Sequence, residues 1–150
     1  MIRDDIKAAT IAAMKGGDKE TTATLRMVSA SIKNRDIEAR TGGAPKDDDA
    51  LVTEVLQKMV KQRRESAELY RKGGREDRAA AEEQEIAVID RFLPRQLSDE
   101  EASAQIRAII AETGASSMKD MGRVMALVKE RLGAAIEPAR ASGLVKAALS

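Results

Sequence analysis

The sequence predicts an all-α protein: an N-terminal four-helix domain containing a long helical hairpin, followed by a C-terminal three-helix domain. Three observations carry this. Apolar residues recur at helical spacing along almost all of the 150 residues. Glycines and prolines interrupt that pattern where helices should end. The core supply is Ala, Ile, Leu, Val and Met, with Tyr70 and Phe92 the only aromatics, which suits close-packed helices and leaves strands poorly furnished.

The first helix is expected from about Ile2 to Lys15, with Ile2, Ile6, Ala9 and Ala13 on one face and Gly16-Gly17 ending it. Asp18 reads as the N-cap of a second helix to about Arg40, with Leu25, Val28 and Ile32 inward. The segment TGGAPK follows as a loop. A third helix is expected from Asp47–Asp49 to Lys72, roughly 37 Å long at 1.5 Å rise per residue. Its stripe of Val52, Val55, Leu56, Met59 and Val60 then fades, because the seam continues through Arg63 and Ser66 before Tyr70 restores it. Gly73-Gly74 breaks this helix by supplying a positive-φ cap. The fourth, Arg75 to Phe92, opens with Glu76 and Asp77, where the macrodipole favours anions.

Leu93-Pro94 marks the domain boundary, dividing 1–93 from 94–150. Beyond it, SDEE at 98–101 reads as a capping box for a helix to about Glu112. TGASS is a turn, with Ser116 or Ser117 capping a helix from about Met118 to Leu132, closed by Gly133. Pro138 fits the first position of a last helix ending near Leu149.

Composition excludes several function classes. There is no Cys and no His, which removes disulfides, thiolate or imidazole zinc sites, thiol nucleophiles and histidine bases. The net charge is +1, with 18 basic and 18 acidic groups in residues 1–93 and 8 and 7 in residues 94–150. A dedicated nucleic-acid binder usually carries a large basic excess; any such contact here must come from local charge placement and be salt-sensitive. With so few aromatics for base stacking, the chain is a poor single-strand reader. The N-terminal stretch, with Asp4 and Asp5, reads as neither a signal nor a transit peptide, and no apolar run reaches bilayer length. A cytoplasmic protein without membrane partners is expected.

Candidate chemistry is sparse. Asp47, Asp48 and Asp49 suggest a divalent-metal site, but consecutive helical residues diverge by about 100°, so N-capping and dipole pairing are expected instead. Ser66 lacks the oxyanion loop a serine nucleophile needs, and a small residue easing helix approach explains it better. The phosphate-cradling G-x-x-x-x-G-K-[ST] loop is absent. Met118, Met121 and Met125 form a partial stripe with Val124 and Val128 and are expected as core filler. No catalytic residue, metal site or cofactor is assigned.

The stretch KQRRESAELYRKGGRED, Lys61 to Asp77, holds six basic and four acidic residues. If helices three and four fold back on one another, residue numbers adding to about 147 lie opposite. Lys61, Arg63 and Arg64 then face Glu82 to Glu85, and Lys61–Glu65 and Arg64–Glu68 are i,i+4 pairs besides. The hairpin tip keeps an excess: Arg71, Lys72, Arg75 and Arg78 against Glu76 and Asp77. Those four cations are the candidate docking surface of a protein-interaction adaptor.

KMVKQRRESAELY (58–70), GRED (74–77), FLPRQLS (92–98) and KDMGRVMALV (119–128), in this order and spacing, resemble the GatB/YqeY family along essentially the whole chain. The resemblance implies a helical N-terminal domain followed by a three-helix C-terminal domain. That latter part is similar to the tail of the B subunit of the glutamine-dependent tRNA amidotransferase, a tRNA-contacting appendage whose chemistry sits elsewhere. The matching positions are Gly122, Val124, Met125, Gly133 and Pro138. Ala134 stands where the family commonly has Lys or Arg, which removes one expected phosphate contact unless Arg131 or Arg140 replaces it.

The resemblance thus implies a non-catalytic, tRNA-associated accessory module. Arg107, Lys119, Arg123 and Arg131 would contact phosphates around Gly122, and tRNA would be the partner, with amidotransferase or aminoacyl-tRNA synthetase components beside it. It also implies carbon–nitrogen ligase activity with glutamine as amide donor, for which the sequence shows neither an amidase nucleophile nor an ATP loop. Gly122 inside a helix costs about 1 kcal/mol relative to Ala. Close helix-to-helix contact is the first explanation expected; approach of an RNA backbone between Lys119 and Arg123 is the second.

Overall fold

The computed structural model describes residues 1–45 and 47–150, and Ala134 by its backbone alone. Lys46, at the end of the TGGAPK loop, and the Ala134 side chain therefore lie outside the described residues. Seven α-helices and two short 3-10 turns are present, and no strand occurs among the described residues. No described helix is long and apolar enough to cross a membrane. The chain divides into two compact units, Met1–Leu93 and Pro94–Ser150.

The first unit contains α1 (Ile2–Lys15), α2 (Lys19–Ala39), α3 (Asp48–Lys72) and α4 (Glu76–Asp90). Asp18 caps α2, accepting from the Thr21 N–H at 3.1 Å. Helix α4 stops two residues before the expected Phe92. Arg91, Phe92 and Leu93 instead make tighter i→i−3 bonds to Val88, Ile89 and Asp90, because the residue before Pro94 is barred from helical geometry. Ile6, Leu25, Val28, Val52, Leu56 and Ile89 form the centre of the core.

That core ends at Val60 on α3 and resumes at Ile86 on α4. Beyond it the two helices continue as an arm whose buried seam is Ala67 and Ala79. Ala67, not Ser66, is the small residue that brings the arm's helices together; Ser66 stays half-buried. Arg63 occupies the seam where an apolar residue was absent. Its side chain is 13% exposed and its Nε donates to Glu85 Oε2 at 2.9 Å, so burial is offset by a charged partner.

The three consecutive aspartates do not act as one group. Asp47 holds the N-cap position of α3 without a side-chain cap bond. Asp49 accepts from the Ile2 backbone N–H at 2.9 Å, so it satisfies an orphan donor of α1 rather than of its own helix. Asp48 and Asp36 grip Arg3 from two sides, with four hydrogen bonds of 2.8–3.2 Å. This fork fastens the start of α1 to the end of α2 and the start of α3.

The second unit contains α5 (Asp99–Thr113), α6 (Met121–Arg131) and α7 (Pro138–Leu149). Ser98 and Glu101 form the capping box of α5. Helix α6 is preceded by a 3-10 turn, Met118–Asp120, capped by Ser117. This turn shifts Met118 out of register: Met121 and Met125 pack on the core, whereas Met118 is exposed. Gly133 takes φ +45 and opens a second 3-10 turn, Gly133–Ala135. The Ala135 carbonyl accepts from Leu97 N–H at 2.8 Å, tying the segment before α5 to the segment before α7.

The Arg3 fork generates a stability prediction. Arg3→Ala removes four partly buried charge-assisted bonds and should cost about 2 kcal/mol after allowance for solvent screening, measured by urea denaturation. The Arg3 guanidinium holds the Asp36 carboxyl below its ordinary value. A depressed folded value means the contribution is present at neutral pH and lost as acid protonates the folded carboxylate, below about pH 4. Asp36→Asn should therefore flatten the fall in stability below about pH 4; an unchanged acid limb counts against the fork.

Candidate nucleic-acid interface

Gly122 is the second residue of α6 and is exposed. A Cβ built there would meet nothing within 4 Å, so the expected helix-to-helix contact does not exist. The physical reason is position: α6 turns Val124 and Val128 to the core, and Gly122 stands on another face. Its propensity cost is thus not offset by packing. Gly143, inside α7, is likewise exposed with open space above it.

Lys119 lies in the 3-10 turn before α6 and Arg123 in the first turn of α6, both exposed, so the two bracket Gly122 along the chain. Arg123 Nη2 donates to Asp120 Oδ1 at 3.3 Å. The Asp120 carboxyl is held below its ordinary value chiefly by the Ser116 backbone N–H, which donates to Oδ2 at 3.0 Å. Arg131, at the end of α6, forks both oxygens of Glu112 on α5 at 2.5 and 2.8 Å, and this guanidinium lowers the Glu112 carboxyl. Arg107 is exposed on α5 and makes no ion pair among the described residues.

The expected phosphate contacts thus differ in readiness. Lys119 and Arg107 point no charge at a described partner; Arg123 and Arg131 are each held by a carboxylate. The carboxylates of Glu112 and Asp120 are the counter-charges to these two arginines. The i,i+3 spacing of Asp120 and Arg123 was legible, but the Glu112–Arg131 pair, 19 residues apart, depends on how α5 and α6 cross. Arg140 is engaged elsewhere, donating to Asp99 Oδ1 at 2.6 Å and to the Leu97 carbonyl. It clasps the start of α7 to the start of α5.

The four arm cations in the first unit all have internal company. Arg71 pairs with Glu76 at 3.1 Å and with Glu83, and Lys72 with Glu68 at 3.3 Å. Arg75 pairs with Asp77 at 3.1 Å, and Arg78 lies 5.8 Å from the Tyr70 ring centroid. The excess counted at the tip is therefore matched within the arm, Glu83 and Glu68 being the carboxylates a tip-only count omits.

With nothing to clash, Gly122→Ala and Gly143→Ala should each stabilise the protein by about 0.5–1 kcal/mol through helix propensity. A fall in Tm for either variant would contradict the open space around both glycines.

The chain matches a family described as Yqey-like protein over residues 3–149. Three fungal proteins, each named altered inheritance of mitochondria protein 41, mitochondrial, are similar to it. The protein of Vanderwaltozyma polyspora is 35% identical over 92 residues, covering 61% of this chain and 46% of that protein. The one from Eremothecium gossypii is 34% identical over 113 residues, covering 74% and 58%, and the one from Clavispora lusitaniae 32% over 117, covering 77% and 64%. The chain thus spans about half of the first two relatives. Since the family match runs through both units, from within α1 to the last residue of α7, this chain belongs to the YqeY-like family.

Proposed function

We propose that the protein is a non-catalytic, tRNA-associated accessory module acting in the cytosol, with α6 of the second unit as its RNA-contacting element. The observation that supports this reading is Gly122, a helical glycine that no packing requires, standing exposed between Lys119 and Arg123. A missing side chain lets a sugar-phosphate backbone approach the helix, and the flanking cations neutralise its phosphates. Arg107 on α5 and Arg131 at the end of α6 are the further phosphate contacts in this reading. The resemblance of this segment to the amidotransferase tail supports the same partner class, with amidotransferase or synthetase components as companions.

Binding through a few phosphates is weak and steeply salt-dependent. Four phosphate contacts give a slope of about −3 to −4 in log K against log salt. Because Arg123 and Arg131 must leave Asp120 and Glu112, affinity is lower than a count of cations suggests. The scarcity of aromatics favours the shape and phosphates of folded tRNA over unstacked bases. The arm cations Arg71, Lys72, Arg75 and Arg78 enter this reading only as intramolecular partners.

A fluorescence titration of labelled tRNA at about 50 mM salt tests the proposal. Saturable binding is expected, with the salt slope falling by about one unit for each of Lys119→Ala and Arg123→Ala. Gly122→Ala should weaken binding while raising Tm, opposite signs that a purely structural glycine cannot give. Absence of saturable binding at that salt concentration would overturn the reading.

A further inference from the structure

A groove of about 620 Å³ runs along the seam between α2 and α3 and ends at the Gly42-Gly43 turn. Its physical origin is a polar seam. Where α3 meets α4 with apolar and small side chains, the facing rows here are Ser31, Asn34 and Arg35 on α2 and Glu54, Lys58 and Gln62 on α3. Only Val55 and Met59, both buried, supply an apolar floor. Helices separated by polar side chains cannot close on each other without desolvating them, so the space stays open.

Several polar groups lining this space keep unused hydrogen-bonding capacity. The side chains of Ser31, Asn34, Lys58 and Gln62 make no hydrogen bond or ion pair among the described residues. Arg35 is 18% exposed and forms ion pairs with Glu38 at 3.9 Å and Glu54 at 3.7 Å, both longer than a hydrogen bond. It donates to the Gly43 carbonyl at 3.1 Å, where the turn is held by positive φ at Gly42 and Gly43. Glu54 reaches toward Arg35 across the seam rather than toward Lys58, four residues along its own helix. Both carboxylates therefore keep accepting capacity, and the Lys58 ammonium keeps all its donors.

The charges are also ordered along the groove. Near the Gly-Gly turn, Glu38 and Glu54 outnumber Arg35 by one negative charge; one helical turn away Lys58 supplies one positive charge. Among the described lining residues the charges are neutral in sum and dipolar in layout. Its complement carries an ammonium and a carboxylate a few ångströms apart, with polar atoms for the Asn34 and Gln62 amides.

We infer that this groove binds a small zwitterion of the free amino-acid class, its ammonium toward Glu38 and Glu54 and its carboxylate toward Lys58. A simple anion is repelled by the glutamates and a simple cation by Lys58 and Arg35. The site is independent of the RNA reading, since it uses only the first unit.

Backbone ¹H–¹⁵N spectra of the full chain, titrated with glycine, L-serine and L-asparagine, test this, with acetate and methylammonium as single-charge controls. The zwitterions should shift the Ser31, Arg35 and Lys58 signals saturably at millimolar concentration, on the order of 1–10 mM, and the controls should not. Lys58→Gln and Glu54→Gln should each weaken the response about tenfold, the loss of one charge-assisted bond, with unchanged circular dichroism. Both positions are at the surface of the seam, outside the core centre, so the fold tolerates them. Unsaturated or absent shifts, shifts confined to other residues, or an equal response to acetate or methylammonium would each overturn the inference.

Discussion

Between α3 and α4 the chain has only Gly73, Gly74 and Arg75 in which to reverse direction, and Gly74, at φ +75, supplies the left-handed residue such a reversal needs. Once the two helices are held antiparallel at that distance, their facing surfaces must match along the whole overlap. Leu56, Val60, Ile86 and Ile89 satisfy this near the core and Ala67 with Ala79 in the arm. Arg63 is the exception, and Glu85 compensates it. The first unit is organised on this seam: α1 and α2 pack on its apolar half, and α2 also meets the base of the arm, where Glu20 accepts from Gln84 at 2.7 Å.

The same seam disposes of the arm's charge. Residues excluded from a narrow interface of alanines crowd to its edges, where cations from α3 meet carboxylates from α4. Arg71 with Glu83 is the result. Such exposed pairs contribute little stability each, but they lower the local field that a charged partner would otherwise sense. The α2–α3 seam has the opposite character. Its polar rows stay apart and leave Ser31, Asn34, Lys58 and Gln62 facing water.

In the second unit, α6 presents a bare stretch of helix at Gly122 between cations, while Glu112 and Asp120 hold two of the four candidate arginine and lysine contacts. A polyanion approaching this surface exchanges one set of anions for another. In the proposed RNA-contacting role, that exchange, more than the count of basic residues, would set the affinity, in accord with a unit that carries nearly balanced charge.

Helix positions, caps and the inward stripes of α1, α2 and the first half of α3 were legible in the sequence, because each depends on neighbours within one or two turns. The capping box at Ser98, the break at Gly73-Gly74 and proline at the start of α7 are of this kind. The role of Gly122 was not legible: its helix was, but which face of that helix is covered depends on α5 and α7. Met118 misled for a related reason, since a single 3-10 turn rotates a side chain off a stripe that spacing alone would extend.

By itself the sequence determined that the chain is helical, where its rods begin and end, and that charge would be nearly balanced throughout. The hairpin register already set Arg63 against Glu85, whereas tertiary structure decided the charge pairs between other helices. Arg3 finds Asp36 and Asp48, 33 and 45 residues away, Arg131 finds Glu112, and Arg35 forms ion pairs with Glu38 and Glu54 that are too long for hydrogen bonds. Periodicity specifies which side of a helix is apolar; it does not specify the angle at which two helices cross, and a hydrogen bond is made or missed over less than an ångström of that geometry.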